Sequence, residues 1–209
     1  MLFATPKPSL SDLILWGDYW DLSDLLAEID RLASGSTTQL HRGSGFIEEF
    51  SSSVNASRLG HAAHTRTFDA GHTQKTVYGI EHNWIYYFGI IALYRHELAW
   101  SSYPRSTHIM VDIMLDTYVN ALESKIPTNG YLSSLFLSLP GGPIEPFINR
   151  LASRQLYFQS LRTNLRRRSR LLPILSSLTF SYDTLARVKP EILDPHPSVF
   201  LPFSDDATD

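Results

Sequence analysis

The 209-residue chain contains no cysteine, and this absence excludes a disulfide scaffold, a thiol nucleophile and any metal site with cysteine ligands. Long apolar runs are also missing. The longest, from Trp84 to Tyr94, has 11 residues and is too short to cross a bilayer. The first twelve residues lack the basic and apolar pattern of a secretory leader. We therefore expect a cytoplasmic protein with no membrane association.

Neither sign of charge dominates, because 18 basic and 21 acidic residues give a formal charge of −3. The chain as a whole is therefore not attracted to nucleic acid or to an anionic membrane. Its 43% apolar and 12% aromatic residues are enough for a packed core and exclude a disordered or collagen-like chain. We predict a single domain over residues 1–188, followed by a proline-rich, acidic tail over residues 189–209.

The local pattern is clearest near the amino terminus. Residues 1–12 contain two prolines and predict an extended lead-in. The β-prone run of residues 13–16 ends at Gly17-Asp18, a pair typical of turns. Asp21 or Ser23 can then cap a helix that ends at Gly35. Five apolar residues at helical spacing give this helix one buried face: Leu22, Leu25, Leu26, Ile29 and Leu32.

The middle of the chain has less regular patterns. Residues 34–76 are rich in serine, threonine, glycine and histidine, and we predict an irregular segment with a short helix near residues 45–58. Residues 76–100 are the most hydrophobic part of the chain. A hairpin is the simplest interpretation there. A buried helix over residues 84–99 stays open, because periodicity does not distinguish the two structures for short apolar runs.

Two further helices are predicted in the second half. Thr107 can cap the first, which ends before Pro127 and Gly130. After the loop Pro140–Pro143, a long helix follows, broken or kinked around Pro173. The apolar residues aligned in it are Phe147, Leu151, Phe158, Leu161, Leu165 and Leu172. Together the elements predict an α+β fold, in which a small antiparallel sheet packs against several helices, with a long helix in the C-terminal half.

Short patterns along the chain are shared with a known family. The segment Leu15-Trp-Gly-Asp-Tyr-Trp-Asp-Leu-Ser-Asp-Leu-Leu follows the order strand, G-D-[YF]-x-[DE]-[LF]-x-[DE]-L, helix. Looser matches begin at Val77, Ala92 and Arg154. In these patterns the chain resembles an uncharacterised family of small bacterial proteins over about half of its length, and departs from it in the longer segment 34–76. The resemblance implies the fold and no catalytic residue.

Histidines are concentrated in one part of the chain. Seven of the eight lie between residues 41 and 108, and imidazole with carboxylate suits zinc, manganese or non-haem iron. The candidate ligands are His61, His64, His82, His96 and Glu97. Their spacing matches no H-E-x-x-H or other known ligand pattern, and no nucleophile elbow or phosphate loop occurs. We therefore predict no metal or other cofactor and do not favour an enzyme. The alternative function is a metal-dependent hydrolase or nuclease that uses these histidines.

The distribution of charge is more informative. Residues 146–182 contain seven arginines and no acidic residue, and arginine binds phosphate or carboxylate in a bidentate manner. Arg162, Arg166 and Arg170 are four residues apart and predict one basic helix face, with Tyr157 about one turn upstream. The candidate residues for binding a partner or nucleic acid are Arg150, Arg154, Tyr157, Arg162, Arg166, Arg167, Arg168 and Arg170.

The positive charge of this segment requires a counter-charge, and several sources stay open. The tail 183–209 and residues 12–30 carry six acidic residues each and can neutralise it within the chain or between copies in a homo-oligomer. A partner protein and a nucleic acid are the other sources. We predict a small interaction or accessory protein whose arginine-rich helix binds an acidic partner, either protein or nucleic acid.

Overall fold

The computed structural model describes residues 1–36, 45–70, 73–126 and 144–178, and the structural statements below concern these ranges. They form one four-stranded antiparallel sheet and six helices, which confirms the predicted α+β class. The strands are β1 (Phe3–Pro6), β2 (Asp12–Gly17), β3 (His64–Ala70) and β4 (Thr73–Asn83). The helices are α1 (Tyr19–Gly35), α2 (Gly45–Arg58), α3 (Trp84–Trp100), α4 (Arg105–Glu123), α5 (Ile144–Ser160) and α6 (Asn164–Leu178).

The strands lie in the order β1-β2-β4-β3, and every neighbouring pair is antiparallel. Alternation along β2 divides its side chains between the two faces of the sheet. Leu13 and Leu15 join the main core under the helices, whereas Ile14 and Trp16 form a small cluster on the outer face. Arg66 covers this cluster, with its guanidinium carbon 4.3 Å from the centre of the Trp16 ring. The outer face is thus packed by its own side chains.

The predicted strand–turn–helix unit is confirmed, with a different cap. Asp18, and not Asp21 or Ser23, caps α1: its carboxylate accepts a hydrogen bond from the backbone N–H of Asp21 (2.8 Å). The backbone N–H of Asp18 donates to the Asp21 carboxylate in return (3.0 Å). The predicted core face is buried at four positions and half-buried at Leu26. The predicted lead-in contains the edge strand β1, because the turn over residues 7–11 brings it alongside β2.

The prediction for residues 34–76 is only partly right. The helix near residues 45–58 is confirmed as α2. The segment is not irregular from His64 onward, since β3 pairs with β4 along its whole length. Most described side chains of β3 are exposed, so the alternation of apolar and polar residues that marks a half-buried strand is missing. Residues 37–44 and 71–72 lie outside the described ranges.

The hairpin predicted over residues 76–100 is wrong, and the open alternative of a buried helix is confirmed. β4 ends at Asn83, whose side chain accepts a hydrogen bond from the backbone N–H of Tyr86 (2.7 Å) and caps α3. All residues from 84 to 94 are buried, so this part of α3 has no polar face that the sequence could reveal. The helices α2, α4, α5 and α6 pack against α3, which lies at the centre of the core.

Thr107 does not cap α4, which begins at Arg105. The Thr107 hydroxyl is buried and donates to the carboxylate of Glu28 on α1 (2.6 Å), so this residue ties two helices together. The described part of α4 ends at Glu123, and the predicted stop signals at Pro127 and Gly130 lie outside the described ranges.

The long helix predicted in the C-terminal half is divided into two helices. α5 ends at Ser160, and Thr163 caps α6, where its hydroxyl oxygen accepts a hydrogen bond from the backbone N–H of Arg166 (3.3 Å). Pro173, predicted to break or kink the helix, lies inside α6. The helix continues past it because its core-facing side is packed. The fully buried residues of that side are Leu171, Ile174, Leu175 and Leu178.

Contacts of both helices hold the pair α5–α6 in position. α5 lies so close to α3 that the side chain of Leu151 fills the space a Cβ on Gly89 would need. At the start of α6, Asn164 Nδ2 donates to the carbonyl oxygen of Pro8 (3.4 Å), and Arg167 Nη1 donates to that of Ser9 (3.3 Å). The turn between β1 and β2 therefore supports the first turn of α6.

Candidate functional site

The seven arginines predicted to bind a partner do not share one surface. Arg154 is buried, and its Nε donates to the hydroxyl of Ser177 (3.1 Å), so it links α5 to α6. Arg150 is half-buried on α5. The other five lie between residues 162 and 170, in the turn before α6 and in the first two turns of that helix. We call residues 162–170 the basic elbow.

The basic elbow presents its arginines in several directions. Arg162 lies in the turn before α6, so the predicted single face with Arg166 and Arg170 is wrong. Arg166 and Arg170 are one turn apart on α6 and border the same pocket. Arg168, two residues after Arg166, projects from another side of the helix. Of these four side chains, those of Arg162 and Arg168 are exposed and the other two are half-buried.

An exposed leucine lies within the basic elbow. Leu165, predicted as a core residue of one continuous helix, is 78% exposed, because the break at residues 161–163 changes the direction of the chain. Leu156 on α5 is exposed as well. Helical spacing assigned Leu165 to the core, and sequence reasoning therefore missed it as a surface residue. Interfaces between proteins are enriched in arginine, and their buried centre is apolar.

The charges of the basic elbow are unfavourable for the helix itself. The amino terminus of a helix carries a partial positive charge, yet the first turn of α6 contains two arginines and no acidic residue. Arg166 and Arg170 are like charges at positions i and i+4, and this arrangement also disfavours the helix. Tertiary packing holds α6 in place against these effects. A local conflict of this kind is typical of a functional site.

A pocket of about 160 Å³ lies between α5 and α6. Its lining residues are Tyr157, Leu161, Arg166, Ser169 and Arg170. Tyr157, predicted to accompany the arginines, is 3% exposed, and its buried hydroxyl has no hydrogen-bond partner among the described residues. Sequence reasoning missed Leu161 and Ser169. Ser169 lies three residues after Arg166 on the same helix, and this spacing could have placed the two side chains on one face. The wall of the pocket thus includes two arginines and a buried tyrosine side chain.

The histidines predicted as alternative metal ligands are not brought together. His61 is exposed after α2. His64 lies on the outer face of the sheet, where its Nε2 is 2.6 Å from Oε2 of Glu81. His82 lies on the opposite face of β4, under the helices, and His96 lies on α3. Within the described ranges, no three or more histidine, aspartate or glutamate side chains are placed to hold a metal ion.

The surroundings of two of these residues are those of core groups. The ring of His82 stacks on Tyr86 with 4.5 Å between centroids, and burial lowers the pKa of His82 to about 4. Glu97 is fully buried. Its carboxylate accepts hydrogen bonds from the hydroxyls of Ser36 (2.9 Å), Ser101 (2.8 Å) and Tyr103 (3.0 Å). Glu97 thus joins the carboxyl-terminal ends of α1 and α3.

Among the described helices, none combines the length and the apolar character needed to cross a bilayer. The basic elbow is the feature of the described residues from which we infer a function. Comparisons of the chain with protein-family models, with curated proteins and with solved structures find no match.

Proposed function

We propose that this protein is a small interaction or accessory protein that binds an acidic protein partner through the basic elbow. One observation carries the proposal: residues 162–170 hold five arginines and no acidic residue, and two of these arginines, Arg162 and Arg168, present their side chains to solvent. Arg162 and Arg168 are exposed and form no hydrogen bond or ion pair with other described residues. Both guanidinium groups are available to a partner. We place the interaction in the cytoplasm, with which a chain free of cysteine is compatible.

Leu165 favours a protein over a nucleic acid as the partner. Protein interfaces combine arginine with apolar side chains, and Leu165 is exposed among the arginines. Binding of single-stranded nucleic acid relies on exposed aromatic rings that stack with bases. Tyr157 and Phe158, the aromatic residues nearest to the basic elbow in sequence, are both buried. We therefore propose a partner segment that combines carboxylates with apolar side chains.

The test is peptide binding, measured by fluorescence anisotropy at low and at physiological salt. One synthetic peptide alternates glutamate with leucine and a second alternates glutamate with serine; single-stranded RNA and duplex DNA are measured in parallel. We expect the glutamate–leucine peptide to bind most tightly and to lose affinity as salt rises. In R162E/R168E, its binding should weaken by about tenfold or more, because attraction is replaced by repulsion at two positions. In L165S, the preference for leucine should disappear.

The control R105E/K125E makes the same change in net charge at two exposed positions outside the basic elbow. It should bind the peptides as the native protein does, and circular dichroism checks that both double variants are folded. An equal loss of binding in both would mean that net charge sets the affinity, and would contradict the proposal. Tighter, salt-dependent binding of RNA or DNA than of either peptide would replace the protein partner with a nucleic acid.

A further inference from the structure

We propose that a groove between β1 and α4 binds an extended segment of a partner protein, which adds to the sheet as a fifth strand. The groove has a volume of about 530 Å³. Residues 1–6 line one side of it, and a stripe along α4 from Ile113 to Ser124, the residue after the helix, lines the other. We call it the β1–α4 groove. The inference is independent of the basic elbow, because it concerns a different surface.

β1 is an edge strand with one free side. Among the described strands it pairs with β2 only. The backbone N–H of Lys7, just after β1, donates to the carbonyl oxygen of Asp12 (2.9 Å), and this bond fixes the alternation of the ladder. The backbone groups of Ala4 and Pro6 therefore point away from β2. No other described residue forms a hydrogen bond with the N–H and C=O of Ala4 or with the C=O of Pro6.

The β1–α4 groove runs along this free side. Successive side chains of a strand point to opposite faces of the sheet, so a cavity lined by six successive residues lies beside their backbone. β2 occupies the other side of β1. Residues 1–6 span about 17 Å at the rise of a strand, and Ile113 to Ser124 span about 16 Å along the helix axis. Two walls of this length accommodate a strand of about five residues.

The groups that line the groove indicate the chemistry of the bound segment. Free backbone N–H and C=O groups at a sheet edge bind another backbone in extended conformation. Leu2, Ala121 and the partly exposed Ile113 provide an apolar wall for alternate side chains. Asp116 is exposed, and its carboxylate forms no hydrogen bond or ion pair with another described residue. We therefore expect apolar side chains at alternate positions, with one lysine or arginine among them to pair with Asp116.

A second copy of the chain is less suitable than a partner segment. In a dimer with twofold symmetry the groove would face itself. None of the described lining residues is a lysine or an arginine, so Asp116 would gain no cationic side chain. The amino group of Met1 already pairs with Asp21. Pro6 has no backbone N–H to donate to a second β1.

The first experiment uses the whole protein and a synthetic nonapeptide with blocked ends. Valine alternates with serine in this peptide, and a lysine replaces the central valine. Two further peptides carry N-methyl groups, one on the serine nitrogens and the other on the valine and lysine nitrogens. Only one set of N–H groups in an added strand faces β1. Methylation of that set should weaken binding by about tenfold or more, and methylation of the other set should leave it unchanged.

Fluorescence anisotropy at physiological salt measures the affinities. Equal affinities of the two methylated peptides would mean that the peptide does not pair as a strand, and would overturn the proposal. Failure of the unmethylated lysine peptide to bind would overturn it as well. Because this comparison needs no variant of the protein, it does not depend on the folding of a variant.

The second experiment changes the free edge itself. A4P removes the N–H that points away from β2 and leaves the hydrogen bonds between β1 and β2, so the variant should remain folded. Its affinity for the lysine peptide should fall by about tenfold, because a donor is lost and the proline ring occupies the edge. In the native protein, the peptide should slow hydrogen exchange of the Ala4 amide by about tenfold. An exchange rate that saturating peptide does not change would overturn the proposal.

The third experiment tests the contribution of Asp116. The native protein should prefer the lysine peptide to one with glutamate at the central position, and D116K should reverse this preference. The control D24K makes the same change in charge at an exposed position of α1, outside the described lining of the groove. D24K should keep the native preference. A reversal in D24K equal to that in D116K would mean that net charge sets the preference, and would overturn the pairing with Asp116.

The same measurements identify the other occupants of the groove. A dimer that A4P abolishes and the lysine peptide dissociates would identify a second copy of the chain, and would overturn the partner segment. Protection of the Ala4 amide in the free monomer would show that the chain itself covers the edge, with the same consequence. Neither result involves Arg162 or Arg168, so failure of the groove leaves the proposed function of the basic elbow intact.

Discussion

At the scale of single residues, the largely buried side chain of His82 links the fold to pH. The imidazole of His82 packs against Phe50 and Tyr86, with ring centroids 5.5 and 4.5 Å away. Burial lowers the pKa of His82 from 6.5 to about 4, and the negative charge of Glu81 offsets only part of this effect. The folded protein therefore keeps His82 neutral in a pH range in which the unfolded chain protonates it.

We expect acid to destabilise the protein through His82. As the pH falls from about 6.5 to about 4, the unfolded state binds a proton that the folded state does not, so the free energy of unfolding falls by up to about 3 kcal/mol. The variant H82F keeps an aromatic ring and removes the titrating nitrogen, and its stability should vary less over this range. Urea unfolding at a series of pH values measures the difference, with H61F at an exposed position as the control. The same pH dependence in H82F as in the native protein would contradict this role.

At the scale of helices and strands, the sequence predicted those elements whose boundaries and faces are marked by residues close together in the chain. The strand–turn–helix unit over residues 13–34 was predictable because a β-prone run, the Gly17-Asp18 turn and regular leucine spacing all lie close together in the chain. Helix α3 left two alternatives, because residues buried on every side have no periodic pattern. The break before α6 was not predictable, since Leu161 and Leu165 keep the spacing of one continuous helix.

The candidate site was predictable only as a set of charges. The arginines of the basic elbow were recognised from composition, but their directions depend on the break between α5 and α6. The burial of Tyr157 and Arg154 depends on the way these helices meet. Ser177, the partner of Arg154, lies 23 residues further along the chain, and no local pattern records such a contact. The pocket is therefore a property of packing that appears only in three dimensions.

At the scale of helices, the close packing of α5 against α3 predicts how substitutions at Gly89 change stability. A Cβ at Gly89 would overlap the fully buried side chain of Leu151, so G89A should lower the free energy of unfolding by about 1–3 kcal/mol through overpacking. The control is G45A at the first residue of α2, where a Cβ meets no atom within 4 Å. It should leave stability unchanged or raise it by up to about 1 kcal/mol. Urea unfolding compares the two, and equal stability of both variants would mean that α5 does not pack on α3 at this point.

At the scale of the whole molecule, the small net charge hides a large asymmetry. Residues 146–182 carry seven basic and no acidic residues, so the other 172 residues carry 11 basic and 21 acidic residues, a formal charge of −10. Regions of opposite charge on two copies attract each other when salt is low. At physiological ionic strength the Debye length is about 8 Å, and most of this attraction is screened. A second copy of the chain is thus a weak acidic partner for the basic elbow.

Self-association should therefore depend on salt. In sedimentation velocity, we expect concentration-dependent association at low ionic strength and a monomer at high ionic strength, because charge pairs exposed to solvent contribute little once screened. R162E/R168E should remain monomeric at low salt, since the basic elbow then no longer attracts the acidic remainder of another copy. R105E/K125E changes the net charge equally and should associate as the native protein does. A dimer that persists at high salt and in R162E/R168E would instead require an apolar interface. Arg162 and Arg168 would then lie outside the dimer interface. Both side chains would remain accessible to a different partner.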